Sequence, residues 1–537
     1  MPIPTRLPPD LAISAAATPC RGWYLHPGVT LATFLVSLFQ ICCFDTFWHL
    51  RIGEILWHGG GILNHNQFSW TFPEQAWRPT YWLFEAVLYP VFTLGGPVAW
   101  ILAQALVLAL AWGSLAGFLA RRLDPGGRYP VCGLLLLLIF LAAIDVSLFR
   151  FMFRPHLFTF LGLSLLIQLL ERWREAPDRF TPWWQIPLLF LLWANLHSGV
   201  VFGFAYFAIV LTSVAWDALR RHGLALRDVR RWWREEPLLC RGLLLLLGAV
   251  AASLLNPTGP VFIAYVADHL RMDNVIQLEE LAPLDVRLHA REAAVMGFFL
   301  ILPPLLLAYC RRLRPEHLLI PVFGIFLLAH GIRFIPKVCL MALPMTVAAL
   351  MAYRERCPDG LLCRWQSGVA RRWPAVAGLG VAVLFAAYVH GRIYRLPESC
   401  FHSGFGIAAD SFPLQVAKAM PPQLARGLYT SFTMGGYVTW RFQDRVKVFQ
   451  DGRIHAYPLA FFREVEDLRS TLAGCGQLVA RYGITAVLLN KTEDPVLAIY
   501  VARQPRQWTI KAEDEHFLYA EKTAASPAGP VTRPYSN

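Results

Sequence analysis

Charged residues are scarce in this sequence, and long apolar runs take their place. Asp, Glu, Lys and Arg make up 16% of the 537 residues, whereas 56% are hydrophobic. A soluble domain is typically about a quarter charged, so this composition excludes an ordinary soluble fold. Because a spanning helix needs roughly 20 mostly apolar residues, the runs predict a polytopic α-helical membrane protein with about eleven transmembrane helices.

Two further features are missing: an internal repeat and an evident cleavable signal peptide. The first 21 residues are polar and rich in proline, unlike the apolar segment of a signal peptide. We therefore expect residues 1–25 to form a cytoplasmic tail, followed by an uncleaved first helix. The expected spans are 26–44, 97–119, 130–149, 157–170, 183–195, 200–216, 239–255, 293–310, 316–332, 336–352 and 374–390.

Positive charge is in excess, and its distribution indicates the orientation of the chain. The formal net charge is +13, which in a soluble protein would suggest a nucleic-acid partner. Here the arginines concentrate in alternate short loops, for example at 220–241 and 354–372. Such loops face the cytoplasm, so we expect a cytoplasmic N-terminus and no nucleic-acid binding.

The expected membrane domain at 26–392 contains two long outer loops and is followed by a C-terminal region of different character. The long outer loops are 45–96 and 256–292, and such loops often carry function. From residue 393 to residue 523 strand-like and helix-like segments alternate, which predicts a small extracytoplasmic α/β domain. The tail at 524–537 is predicted to be disordered.

Local patterns give the expected elements of the C-terminal domain. Strands are expected at "LARGLYTSF", "RVKVFQDGR" and "ITAVLLN". Helices are expected at "FREVEDLRSTLAGCGQLVARY" and "DPVLAIYVARQ".

Polar and ionisable side chains collect at the outer ends of the expected spans. Charges at membrane depth cost about 2.5–3.5 kcal/mol on insertion scales, so they are usually functional. An ionised carboxylate can deprotonate an attacking hydroxyl, and arginines can hold a phosphate. The set therefore fits transfer of a group from an anionic donor in the membrane. Its members are Asp45, His49, Arg150, Arg154, His156, Asn195, His197, Glu279 and Arg333, with Asp451 and Arg453 of the domain.

Structural interpretations of these candidates stay open. Asp45 is a favoured N-cap residue for a helix at about 46–57. It shares a helix face with His49 at i, i+4, which allows a metal pair, although two ligands are too few to define one. Asp451 begins an Asp-Gly turn signal. Spacing does not separate Glu279 from Glu280.

Eleven cysteines are spread along the chain, and most are interpreted as buried thiols. Cys357 and Cys363 have no zinc-like partners in the sequence. Cys400 and Cys475 both fall in the expected outer domain, where an oxidising compartment permits a disulfide.

Short motifs, in chain order, resemble a bacterial family of GT-C-type membrane proteins. They are "FDTFWHLRIGEIL", "NHNQFSWTF", "WLFEAVLY", "FRPHLFTF", "WANLHSGVVFGF", "LNPTGP", "GGYVTWRF" and "VFQDGR". The wider superfamily includes oligosaccharyltransferase catalytic subunits, protein O-mannosyltransferases and aminoarabinose transferases. The resemblance implies an inverting glycosyltransferase of the bacterial inner membrane. It would use a polyprenyl-(di)phosphate sugar donor at the outer face and a glycan, lipid or protein acceptor.

The resemblance also implies roles for single residues. Similar enzymes have an essential Asp in the first outer loop, which Asp45 matches by position. Glu279, four residues before Pro283, resembles the Glu that meets the acceptor in oligosaccharyltransferases. Their paired acidic motif in the second outer loop is absent from "RFMFRPH". A divalent metal, Mg or Mn, therefore stays open.

The expected catalytic residues are Asp45, His49 and Glu279. The other members of the set are expected to bind substrate. Two rival classes stay open: a transporter or flippase for a lipid-linked saccharide, and a non-catalytic subunit of a cell-envelope polysaccharide machine. Transporters usually place polar residues near the membrane midplane, whereas here they gather at outer helix ends.

Overall fold

A computed structural model describes residues 25–125, 130–222, 236–257, 259, 282–357, 380 and 401–523. The expected span at 374–390, apart from residue 380, lies outside these ranges, as do Glu279 and Cys400. Cys475 is a buried free thiol.

Apolar helices occupy the described part of the chain before residue 357. They are α1 (Pro27–Val36), α2 (Thr46–Trp57), α3 (Trp82–Leu123), α4 (Pro130–Asp145), α5 (Leu157–Glu175), α6 (Gln185–Leu196), α7 (Val200–His222), α8 (Pro237–Ser253), α9 (Ala290–Tyr309), α10 (Glu316–His330) and α11 (Ile335–Arg356). Each of the ten spans expected from 26–44 to 336–352 overlaps one of these helices, so a helix is confirmed in each span. Four described helical segments are long and apolar enough to cross a membrane: Trp82–Leu123, Val200–Arg221, Ala290–Tyr309 and Ile332–Arg356.

Helix α3 is broken into two halves. Its 42 residues include non-helical backbone at Gly95 and Gly96, where Gly96 has a φ of 58°. Glycine adopts this left-handed conformation without steric cost, and Pro97 then begins the second half. The break coincides with the start of the expected span 97–119. The first half carries Glu85, a buried carboxylate, in its first turn.

Trp193 of α6 holds three helices together. Its side chain is only 2% exposed. A Cβ atom built on Gly162 of α5 would lie 2.6 Å from the Trp193 ring, and one on Gly203 of α7 would lie 2.7 Å from it. Both positions therefore need glycine. The Trp193 Nε1–H donates to Thr159 Oγ1 at 3.1 Å, which links this packing to the polar end of α5.

The C-terminal domain is a small sheet with helices. Its elements are β1 (Leu428–Thr430), α12 (Gly435–Phe442), α13 (Leu459–Arg469), α14 (Leu472–Tyr482), β2 (Ala486–Asn490), α15 (Pro495–Ala502), β3 (Trp508–Glu513) and β4 (Phe517–Lys522). The strand order is β1-β2-β4-β3. Strands β1 and β2 are parallel, and β4 is antiparallel to both β2 and β3.

The predicted α/β domain is confirmed, with corrections to its elements. Strands β1 and β2 and helices α13, α14 and α15 lie in the expected segments. The expected strand "RVKVFQDGR" is wrong, because Val446 and Val448 form only isolated bridges to loop residues Leu424 and Ser69. "GGYVTWRF" forms helix α12, and strands β3 and β4 were not predicted.

The long loop region at 45–96 shares a hydrophobic core with this domain. Members of the core from the loop region are Trp48, Ile52, Leu63, Phe68 and Trp77; members from the domain include Tyr429, Phe449, Phe461 and Leu489. Backbone pairing of Ser69 with Val448 adds a direct link. The loop and the domain therefore fold as one layer over the ends of the helices.

Adding one methyl group beside Trp193 tests this packing. We expect Gly162→Ala to destabilise the protein by about 1–3 kcal/mol, the usual cost of overpacking a core. The matched control is Gly297→Ala in α9, where a built Cβ meets nothing within 4 Å. Thermal unfolding in detergent should show a lower melting temperature for Gly162→Ala only. Equal melting temperatures for the two variants would contradict the packing of Trp193.

Candidate active site

A cavity of about 430 Å³ lies where the helix ends meet the C-terminal domain. Its walls come from the start of α2, the segment before α3, the segment before α5, the α6–α7 connection, α7, α10 and the start of α11. The domain contributes Phe432 and residues 452–455. Segments separated by up to four hundred residues in the chain thus face one space.

Positive charge dominates the described lining. The lining includes six cationic side chains, Arg78, Arg150, Arg154, Arg333, Lys337 and Arg453, and one carboxylate, Asp45. Arg150, Arg154, Lys337 and Arg453 are all less than 9% exposed. Because buried charge is costly without opposite charge nearby, this lining is suited to an anionic ligand.

Asp45 lies at the edge of the cavity in a defined orientation. It occupies the N-cap position of α2, but its side chain makes no capping hydrogen bond. Oδ1 instead accepts a hydrogen bond from Trp48 Nε1 at 2.9 Å, and Oδ2 lies 3.1 Å from Arg154 Nε. The capping interpretation therefore does not account for this carboxylate, which is turned toward the cationic cavity.

Glycines bring the domain against Asp45. A Cβ built on Gly452 would lie 2.5 Å from Asp45 Oδ1, and one on Gly436 would lie 2.9 Å from the carbonyl oxygen of Phe44. Both sequence motifs singled out in the domain, "GGYVTW" and "QDGR", thus provide close contacts to the same short segment. A side chain at either position would push the domain away from the carboxylate.

His49 is paired with a carboxylate that sequence reasoning missed. His49 Nδ1 lies 2.9 Å from Glu85 Oε1, and both side chains are 2% exposed or less. Glu85 stands alone in the apolar segment "WLFEAVLY", and an isolated acid in such a segment is itself a signal of function. Burial, followed by the positive charge of Arg154, holds the pKa of His49 well below its usual 6.5.

Both ring nitrogens of His156 contact Arg150. Its Nε2–H donates to the Arg150 carbonyl oxygen at 2.7 Å, so Nδ1 is the acceptor. Nη2 of Arg150 approaches that Nδ1 at 3.4 Å. Burial and the charge of Arg150 lower the pKa of His156, which keeps the ring neutral. Both ring nitrogens therefore fix one arginine of the cavity.

Asn195 and Asp451 lie away from the lining. Asn195 Oδ1 accepts from Trp82 Nε1 at 2.7 Å, and its amide donates to the carbonyl oxygens of Leu191 and Leu255. Asp451 is fully buried and binds Arg453, with Oδ2 2.6 Å from Nη2. The remaining described candidates, His197, Arg333 and Arg453, lie in the lining together with Asp45, His49, Arg150, Arg154 and His156.

The loop carrying Phe432 is held by adjacent acids. The backbone N–H of Phe432 donates to Glu493 Oε1 at 2.6 Å, and Asp494 accepts from the Ser431 and Tyr429 hydroxyls. Burial and the neighbouring Asp494 raise the pKa of Glu493 to about 7. The Phe432 ring is thereby set 5.6 Å from that of Phe44, next to Asp45.

A solved structure shares this architecture. The crystal structure of ArnT from Cupriavidus metallidurans bound to undecaprenyl phosphate matches with a TM-score of 0.50 and 16% sequence identity. The match covers 94% of this chain and 98% of that chain. This chain therefore has the same fold as that ArnT structure. No protein-family model and no curated protein sequence matches it.

The shared fold brings together candidate residues that are far apart in sequence. The segments at the helix ends supply Arg150, Arg154, Arg333 and Lys337, and the segment at 45–49 supplies Asp45 and His49. Within the described residues, no group of three or more His, Cys, Asp or Glu side chains is arranged to hold a metal ion. Asp45 pairs with a guanidinium and His49 with a carboxylate.

Sequence reasoning did not select Lys337, Tyr81 or Thr159. Lys337 and Tyr81 line the cavity, and Thr159 hydrogen-bonds His197 behind it. An ordinary threonine or tyrosine in an apolar segment gives no signal of this kind. Among the missed residues, Glu85 is the one that the sequence could have indicated, because it is an isolated acid in an apolar segment.

A methyl group at residue 452 should disturb Asp45 selectively. We expect Gly452→Ala to lower stability by about 1–3 kcal/mol, because its Cβ would overlap the Asp45 carboxylate. Gly476→Ala is the matched control within the same domain, since a Cβ there meets only ordinary contacts of 3.5 Å or more. Thermal unfolding of both variants measures the effect. A Gly452→Ala protein as stable as the control would contradict the close approach.

Acid should weaken the fold partly through His49. The unfolded chain takes up a proton at His49 near pH 6.5, whereas the folded chain resists protonation, so stability is lost as pH falls below that value. The expected loss is up to about 1.4 kcal/mol per pH unit. Melting temperatures between pH 7.5 and about pH 5 should fall less steeply for His49→Gln than for the unmodified protein. Identical slopes would show that His49 is not neutral in the fold.

Proposed function

We propose that this protein is an integral-membrane glycosyltransferase. It transfers a sugar from a polyprenyl-(di)phosphate donor to an acceptor at the extracytoplasmic face. The observation that carries the proposal is the cationic cavity beside Asp45, enclosed between helix ends and the C-terminal domain. The GT-C fold supports it, and the similar ArnT structure contains undecaprenyl phosphate.

The donor phosphate is assigned to one side of the cavity. Arg150, Arg333 and Lys337 come from the segments before α5 and at the start of α11, and all three line the space. Arg333 lies within electrostatic range of Arg150. Because the two side chains carry like charges, they repel each other, and an anion bound between them would relieve this repulsion. A guanidinium group can donate two parallel hydrogen bonds to two oxygens of one phosphate. Its positive charge also stabilises the negative charge that develops as the phosphate leaves.

An apolar chain has a route out of the same cavity. Phe202 of α7 and Phe323, Phe326 and Leu327 of α10 line it. Phe326 is also 55% exposed, beside the exposed apolar residues Val322 and Ile325. The cavity therefore reaches the apolar outer surface of α10. This arrangement suits a lipid whose phosphate is inside the cavity and whose prenyl chain lies in the bilayer.

Asp45 is the proposed general base. The acceptor hydroxyl gives its proton to the Asp45 carboxylate while its oxygen attacks the anomeric carbon. The bond from that carbon to the phosphate oxygen breaks, and its electron pair leaves on the lipid phosphate between the cations. A single displacement inverts the configuration at the anomeric carbon. Arg154 Nε, 3.1 Å from Asp45 Oδ2, orients the carboxylate and places a positive charge beside it.

The C-terminal domain is proposed to shape the acceptor side. Phe432 and residues 452–455 form its contribution to the cavity wall. Gly452 lies against Asp45, and the Phe432 ring lies 5.6 Å from that of Phe44. An acceptor reaching Asp45 would therefore pass along this wall. The chemical class of the acceptor, whether glycan, lipid or protein, is set by these contacts.

The orientation in the membrane follows from charge. Arg122 and Arg174 lie near the C-terminal ends of α3 and α5, at the end away from the cavity. The arginine-rich loops of the sequence join the helices at that end. Positive loops remain in the cytoplasm, so the cavity and the C-terminal domain are proposed to face the extracytoplasmic side of the inner membrane.

Replacing the proposed base tests the function. Asp45→Asn should reduce sugar transfer from a synthetic polyprenyl-phosphate monosaccharide about 100-fold or more, as expected for loss of a general base. The control is Glu54→Gln on the same helix, where the carboxylate pairs with Arg51 outside the described lining. Radiolabelled donor and the purified protein in lipid discs provide the assay. Full activity of a normally folded Asp45→Asn protein would remove Asp45 from this role.

A further inference from the structure

His197 is held by two hydrogen bonds at one ring nitrogen. The backbone N–H of Gly199 donates to His197 Nδ1 at 3.0 Å. Thr159 Oγ1 lies 2.7 Å from the same Nδ1. A backbone N–H can only donate, so Nδ1 carries no proton in this geometry. The Thr159 hydroxyl must therefore also donate to it.

A third residue fixes the direction of the Thr159 hydroxyl. The Trp193 indole N–H, which can only donate, points to Thr159 Oγ1 at 3.1 Å. The oxygen accepts from Trp193 and turns its own hydrogen toward His197. Trp193 is wedged between Gly162 and Gly203, so the chain from Trp193 through Thr159 to His197 starts from a rigid side chain.

Close packing prevents the ring from turning over. A Cβ built on Gly199 would lie 2.1 Å from Thr159 Oγ1 and 2.4 Å from His197 Nδ1. The Tyr81 ring stacks on the imidazole with centroids 5.7 Å apart. Nδ1 is therefore directed at the ends of α5 and α7. Nε2 lies on the edge of the ring away from these two contacts, and His197 lines the cavity.

We propose that His197 is a neutral histidine locked as the Nε2–H tautomer, and that it donates this hydrogen to the phosphate of the lipid-linked donor. Thr159 and Gly199 are positioning residues for that donor hydrogen. This inference rests on the proposed function for the identity of the anion. It removes His197 from acid–base chemistry, because the nitrogen that would accept a proton is already occupied by two donors.

The two donors at Nδ1 are what make the ring neutral, because an imidazolium has no acceptor nitrogen there. The ring neighbours of His197 are Tyr81 before α3 and His156 before α5. The positive charge that binds phosphate thus comes from arginine and lysine, and it stays constant across neutral pH. His197 contributes an oriented hydrogen-bond donor rather than a positive charge.

The tautomer can be read directly, without a substrate. In ¹⁵N-histidine-labelled protein in lipid discs, the signals missing from His197→Gln identify His197. We expect a protonated, pyrrole-type Nε2 and an unprotonated, pyridine-type Nδ1, unchanged between about pH 6 and pH 8. A protonated Nδ1 or an imidazolium at neutral pH would overturn the proposal.

Binding of undecaprenyl phosphate supplies the second measurement. His197→Leu should bind it about tenfold more weakly, the loss expected for one hydrogen bond to a charged group. His197→Gln keeps an N–H donor near the Nε2 position and should stay within about threefold of the unmodified protein. Unchanged affinity of His197→Leu would overturn the donor role. If the unmodified protein does not bind the lipid, the proposed donor class fails, while the NMR result still decides the tautomer.

Discussion

The buried ion pair of Arg453 and Asp451 fixes the C-terminal domain over the membrane helices. Both side chains are fully buried, and Arg453 Nη2 also donates to Asn66 Oδ1 of the first outer loop at 2.6 Å. The guanidinium lies over the rings of Phe68 and Trp77 at 4.4 and 4.8 Å. Removing one partner of such a pair leaves an uncompensated charge, at a cost of about 3–5 kcal/mol. The pair therefore joins the domain to the loop, and it does so only when Arg453 contacts both Asp451 and the loop residues.

The ion pair of Arg453 and Asp451 also positions part of the cavity wall. The residue between the two partners, Gly452, meets the Asp45 carboxylate, so the ion pair also sets the side of the cavity on which the proposed chemistry takes place. On the membrane side, His156 clamps Arg150, and Thr159 orients His197. Two of the histidines thus act as fixed hydrogen-bonding elements. This division leaves Asp45 and the arginine and lysine side chains to carry the proposed transfer.

The helices and the polar residues at their ends were predictable because each signal is local. Runs of apolar residues predicted ten helices, and polar residues beside them predicted most of the charged and histidine side chains in the described lining. Glu85 was missed although it is such a charge. Thr159 was missed because its role depends on a hydrogen bond to a residue 38 positions away. The loop–domain core and the failed strand at "RVKVFQDGR" have the same cause, since periodicity does not reveal a partner nearly 400 residues distant.

The central claim is that residues from distant segments form one phosphate-binding cavity beside Asp45. The most direct test is an experimental structure of the protein in lipid discs with a non-hydrolysable polyprenyl-phosphate sugar. We expect phosphate density in contact with Arg150, Arg333 and Lys337, the anomeric carbon facing Asp45, and the prenyl chain leaving past Phe326. Phosphate bound at another surface, with this cavity empty of ligand, would contradict it.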